Sequence, residues 1–123
     1  NNCLHAIDSS LFSSLMNLRR LLLSQNQLNE ISPFLFSNLT FLRLLNLDSN
    51  RLSFIDLRNL SNLIYLEELN LEDNFLSENS LKYLNLKNLV KLNLTKNNFE
   101  VVDDNLFSNS KNIKQLDLSN NFK

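Results

Sequence analysis

Six asparagines punctuate this chain, Asn2, Asn26, Asn50, Asn74, Asn97 and Asn121, at spacings of 24, 24, 24, 23 and 24 residues. Apolar residues stand eight, five and three places ahead of the last five. They are Leu18, Leu21 and Leu23, then Leu42, Leu45 and Leu47, then Leu66, Leu69 and Leu71, then Leu89, Leu92 and Leu94, and finally Ile113, Leu116 and Leu118. A fixed period of this length constrains the fold more than any composition can. Each unit is too small to bury its own apolar face, so neighbouring units must stack into a solenoid.

Within each unit the pattern L-x-x-L-x-L ends in strict alternation, the signature of a strand with one buried face. Parallel strands at ~4.8 Å spacing would set the leucines of one unit on those of the next. The asparagine carries both donors and an acceptor, and so suits backbone groups left unpaired where the chain leaves the strand. Asn2, Asn26, Asn50, Asn74, Asn97 and Asn121 are therefore expected to form a buried ladder.

The return segments repeat as well. Leu4, Ile7, Phe12 and Leu15 follow Asn2 at offsets that recur as Leu28, Ile31, Phe36 and Leu39, and as Leu52, Ile55, Leu60 and Leu63. Phe12, Phe36 and Phe107 should line the wall opposite the strands, with Leu60 and Leu84 between. After Asn97, Ser110 replaces an expected leucine. The unit after Asn74 is one residue shorter and places Asn79 where Ile or Val is expected, so an altered, helical return is predicted around Leu81, Leu84 and Leu86.

Composition then narrows the function classes. The 123 residues are 43% hydrophobic and 20% charged, with a net charge of -1. That balance supplies no global field for nucleic acid or an anionic membrane. No apolar run approaches the ~20 residues of a membrane span. There is no glycine, which excludes phosphate-cradling loops as they are usually written. One histidine, His5, and one cysteine, Cys3, make no familiar zinc cluster. The carboxylates Glu67, Glu68, Glu72 and Asp73 lie along a strand that would spread them over a flat surface instead of converging them on calcium. No cofactor and no catalytic centre is expected.

The chain resembles a leucine-rich repeat protein of the 24-residue subtype with Phe in the return segment, as in Toll-like receptor ectodomains, and the resemblance covers its whole length. It implies an α/β arc or horseshoe with a parallel concave sheet of about five strands and short helical or irregular convex segments. It also implies binding through the concave face. Residues 1–123 are read as a single repeat domain, a piece of a longer array without its caps.

The places between the strand leucines should line that concave face. The candidate partner-binding residues are Arg20, Leu22, Ser24, Leu44, Asn46, Asp48, Glu68, Asn70, Glu72, Lys91 and Asn93. Register predicts that Glu68 meets Lys91 and that Asp73 meets Lys96, which leaves Asp48 beside Glu72 as an acidic pair. Leu22 and Leu44, diagonal neighbours, form a small apolar patch. Three sequons begin at Asn38, Asn59 and Asn93; the first two would lie on return segments and the third on the sheet.

These features are read as a non-catalytic protein-recognition module of a receptor-like or secreted protein, with an extracellular or cell-surface location. The partner is expected to be a protein, with no nucleic acid favoured and no membrane insertion by these residues. Two alternatives remain: an intracellular scaffold or regulatory subunit, and substrate-selecting repeats of an enzyme whose catalytic domain lies elsewhere.

Overall fold

In the computed structural model the chain winds into a solenoid with one strand per turn. The structure describes residues 2–103 and 105–122, and the side chain of Asn59 lies outside what it describes. The strands are β1 (Arg20–Leu22), β2 (Leu44–Asn46), β3 (Glu68–Asn70), β4 (Lys91–Asn93) and β5 (Gln115–Asp117). They form one parallel sheet in the order of the sequence. The register is that of the repeat, with Leu45 aligned to Leu21 and Leu69, and Leu92 aligned to Leu69 and Leu116.

The inward leucines make one continuous core with the return-segment residues. Leu45, Leu47, Leu52 and Leu60 are fully buried, and Phe12, Phe36 and Leu84 are buried in the wall opposite the sheet. Phe107 is only half-buried at the same place. Each such side chain contributes roughly 1.5 to 3 kcal/mol through burial, and only stacking makes that burial possible. Leu116 on β5 is 41% exposed, because β4 covers it from one side only.

The return segments are mostly turns, with two 3-10 helices at Leu57–Leu60 and Glu78–Leu81. The second falls in the shortened unit and matches the altered return expected there. Leu81, Leu84 and Leu86 are all buried.

The asparagines act as brackets between rungs. Asn74 is typical: its Nδ2 donates to the carbonyls of Leu47, Leu71 and Glu72 at 3.1, 3.2 and 3.1 Å. Its Oδ1 accepts from the amide of Leu52 at 3.0 Å. Asn50 and Asn97 repeat the arrangement. Asn26 bonds within its own rung and accepts from Leu4. Half-buried Asn121 reaches Leu94 and Leu118 and accepts from Asn97 and Phe99. Asn2 departs from the expected ladder. Its side chain is exposed, because the strand carbonyls that hold the other asparagines have no counterpart ahead of it among the described residues.

Backbone strain recurs at a fixed place in the turns that follow the strands. The residue before each bracket, Gln25, Ser49, Asp73, Lys96 and Asn120, has φ between 53° and 57°. None is glycine, and a left-handed conformation costs an ordinary residue roughly 1 to 2 kcal/mol. The bracket bonds and the rung-to-rung backbone bonds on either side, such as Ser49 N–H to Glu72 O at 2.9 Å, hold the turn in that shape.

Candidate functional site

The concave face is built from the outward places of β2 to β5. There a depression of about 630 Å³ is lined by Leu44, Asn46, Glu68, Asn70, Lys91 and Asn93, and by Lys114, Gln115, Leu116 and Asp117 of the last rung. Six of the sequence-derived candidates thus come together. Arg20 and Leu22 stand on β1 outside the depression, with Leu22 59% exposed. Ser24, Asp48 and Glu72 lie past the strand ends.

The last residue of each strand from β2 to β5 does more than face outward. Asn46 Oδ1 accepts from Asp48 N at 3.0 Å, Asn70 from Glu72 at 3.1 Å, Asn93 from Thr95 at 3.0 Å and Asp117 from Ser119 at 2.9 Å. Each closes the turn that ends its strand, the local bond for which short amide and carboxylate side chains are suited. The residues remain partly or fully exposed but are fixed in orientation. Leu22 holds the same place on β1 and cannot make this bond.

Electrostatics on the face differs from the register-based expectation at one rung. Lys91 Nζ meets Glu68 at 3.0 Å as the register predicts. Lys96 does not pair with Asp73; its Nζ lies 3.8 Å from Glu72. Asp73 instead lies 3.3 Å from the Ser49 hydroxyl. Asn93 Nδ2 also donates to Glu72, at 3.0 Å, so a lysine reaching back from the next turn finds the acceptor already oriented there. Glu72, expected to stand unpaired beside Asp48, is therefore compensated by Lys96 and Asn93. The Ser119 hydroxyl and amide beside Asp117 hold its carboxyl below the usual aspartate value.

The sequons differ in setting. Asn38 is exposed on a return segment, its Nδ2 bonded to Ser13 O at 3.0 Å, beside exposed Thr40. Asn93 is half-buried in β4, engaged at both ends of its amide, and its Thr95 is buried. The Asn59 side chain is outside the described residues. Cys3 is an exposed free thiol. Among the described residues no cluster of His, Cys, Asp and Glu could hold a metal ion, and no helix is long and apolar enough to cross a membrane.

The sequence profile described as leucine rich repeat matches residues 1–52 and 17–76. The chain belongs to the leucine-rich repeat family. Solved leucine-rich repeat structures agree over nearly its whole length. The ectodomain of the receptor kinase SOBIR1 from Arabidopsis thaliana is 32% identical, with 98% of this chain and 68% of that chain covered and a TM-score of 0.69. TLR13, solved in complex with the single-stranded RNA ssRNA13, is 31% identical over 98% of this chain, with a TM-score of 0.86. The match spans 18% of the TLR13 chain. The leucine-rich repeat domain of APL1B shares the fold at 22% identity and a TM-score of 0.83, over 96% of this chain and 35% of that one. No curated protein sequence matches at a significant level. The leucine-rich repeats of this chain are thus a module of the protein-interaction kind, and no catalytic family is indicated.

Proposed function

We propose that this chain is the recognition segment of a receptor-like or secreted leucine-rich repeat protein, without catalytic activity of its own, and that it binds a protein partner across the concave sheet. The observation that carries the reading is the depression over β2 to β5. It combines the apolar side chain of Leu44 with the oriented polar groups of Asn46, Asn70, Asn93 and Asp117, with Gln115, and with the Glu68–Lys91 pair. Partner sites combine apolar surface with a few placed polar groups in this way. The likeness to a plant receptor ectodomain over two thirds of that chain's length supports the extracellular location.

TLR13 is solved with single-stranded RNA, but here the strand cation Lys91 is spent on Glu68 and the other cation of the depression, Lys114, shares it with the carboxylates of Glu68 and Asp117, so the face offers phosphates little. A protein partner fits better. Arg20, Leu22, Ser24, Asp48 and Glu72 would form the rim of the contact.

The test is a selection of extracellular proteins on the immobilised chain, followed by Leu44→Glu, Asn70→Lys and Gln115→Glu variants checked for intact folding. Binding to the selected partner should fall with each. Loss confined to changes on the return segments would overturn the reading.

A further inference from the structure

Charge is segregated across the solenoid in a way its net value conceals. The segments leading into the strands carry Arg19, Arg43, Lys87, Lys111 and Lys114 against Glu67. Glu67 is bonded to Arg43 at 2.6 Å and Glu68 to Lys91 at 3.0 Å. Lys87, Lys111 and Lys114 are exposed, and among the described residues none of them is in an ion pair.

On the same edge Phe41 and Tyr65 stack with ring centroids 5.7 Å apart and planes 7° from parallel. They remain 46% and 44% exposed, and Ile64 beside Tyr65 is 56% exposed. Next to Tyr65 opens a depression of about 440 Å³ lined by Tyr65, Glu67, Asn88, Val90, Asn112 and Lys114. Asn88 and Asn112 donate to the carbonyls of Ile64 and Lys87, each at 2.6 Å. Those bonds tie the rungs together, so the aromatic shelf and the depression are fixed relative to each other.

We propose that this strand-entry edge is a second docking surface, for an acidic protein segment that carries an aromatic or aliphatic side chain. The inference does not rest on the concave reading. The lysines attract carboxylates, Tyr65 and Val90 offer apolar contact, and the edge is rigid before binding, which lowers the ordering cost. A nucleic-acid strand fits less well. Phe41 and Tyr65 cover one another's faces where bases would stack.

The probe is a random copolymer of glutamate and tyrosine, titrated against the full chain by fluorescence anisotropy, with polyglutamate and oligothymidylate as comparators. The copolymer should bind more tightly than either, and added salt should weaken it. Lys87→Glu combined with Lys111→Glu, neither of which lines the concave depression, should reduce affinity about tenfold or more, since both charges then repel the probe. Tyr65→Ser should weaken it too, whereas Leu22→Ser and Gln115→Ala on the concave side should leave it unchanged. No binding of the copolymer, binding insensitive to the lysine pair, equal loss in the concave variants, or tighter binding of oligothymidylate would each overturn the proposal.

Discussion

The hydroxyl of Ser110 accepts the backbone N–H of Leu86 at 3.1 Å inside the core. In the neighbouring rungs the residue at this place, Leu39, Leu63 or Ser110 itself, gives its amide to the carbonyl three residues back. The rung between Asn74 and Asn97 is one residue shorter, and among the described backbone bonds Leu86 has no such partner. Ser110 supplies the acceptor. A deletion in one unit and a polar substitution in the next are thus two halves of one arrangement.

Replacing Ser110 with alanine should therefore destabilise the chain by about 1 to 3 kcal/mol, the cost of an unsatisfied buried donor. Ser110→Leu, which restores the repeat pattern, should be worse, because it removes the acceptor and adds volume at a site that is 2% exposed. Urea denaturation monitored by circular dichroism measures both. A leucine variant as stable as the native chain would contradict the coupling.

The brackets allow a sharper comparison. Asn74→Ala should cost about 1 to 3 kcal/mol, because three carbonyls and the Leu52 amide lose a partner. Asn74→Asp keeps an acceptor for Leu52 but turns a carboxylate toward those carbonyls at a buried place. It should be the more destabilising of the two at neutral pH and should recover part of the loss in acid. Denaturation at two pH values reads the difference.

Left-handed turns give a third test. Gln25 has φ of 54° and an exposed side chain. Gln25→Gly should leave stability unchanged or raise it by up to ~1 kcal/mol, since glycine carries no Cβ penalty there although it loses more chain entropy. Gln25→Val should lower it by roughly 1 to 2 kcal/mol. Thermal unfolding of the pair against the native chain decides.

Two surface turns hold their carboxylates against acid. The Arg58 guanidinium beside Asp56, and the Ser119 hydroxyl beside Asp117, lower those carboxyls from the usual 3.8. A depressed folded value means that the contribution is present above 3.8 and is lost as pH falls through the lower folded value. Both side chains are solvent-screened, so the effect on stability is small. NMR titration of the aspartates should show Asp56 and Asp117 with midpoints below 3.8, and Arg58→Ala should move Asp56 upward.

Glycan placement follows from accessibility. Expressed through a secretory pathway, the chain should carry a glycan at Asn38, whose remaining N–H can keep its bond to Ser13. It should carry none at Asn93, where the sequon lies within β4 and its Thr95 is buried. Glycopeptide mass spectrometry distinguishes these sites, and occupancy at Asn93 would mean that the concave face is obstructed.

The sequence by itself determined the solenoid, its strand register and its brackets. A period of 24 residues forces identical places into neighbouring positions, so Leu45 must lie between Leu21 and Leu69. The pairing of Glu68 with Lys91 was legible for the same reason. Tertiary structure decided whatever depends on side-chain reach or on backbone shape between rungs. Lys96 reaches Glu72 because an oriented acceptor waits there, and the residue before each bracket turns left-handed because the bonds around it leave no alternative. It also decided which exposed residues share an edge. Phe41, Tyr65, Asn88 and Lys114 are scattered along the chain, and the winding sets them side by side.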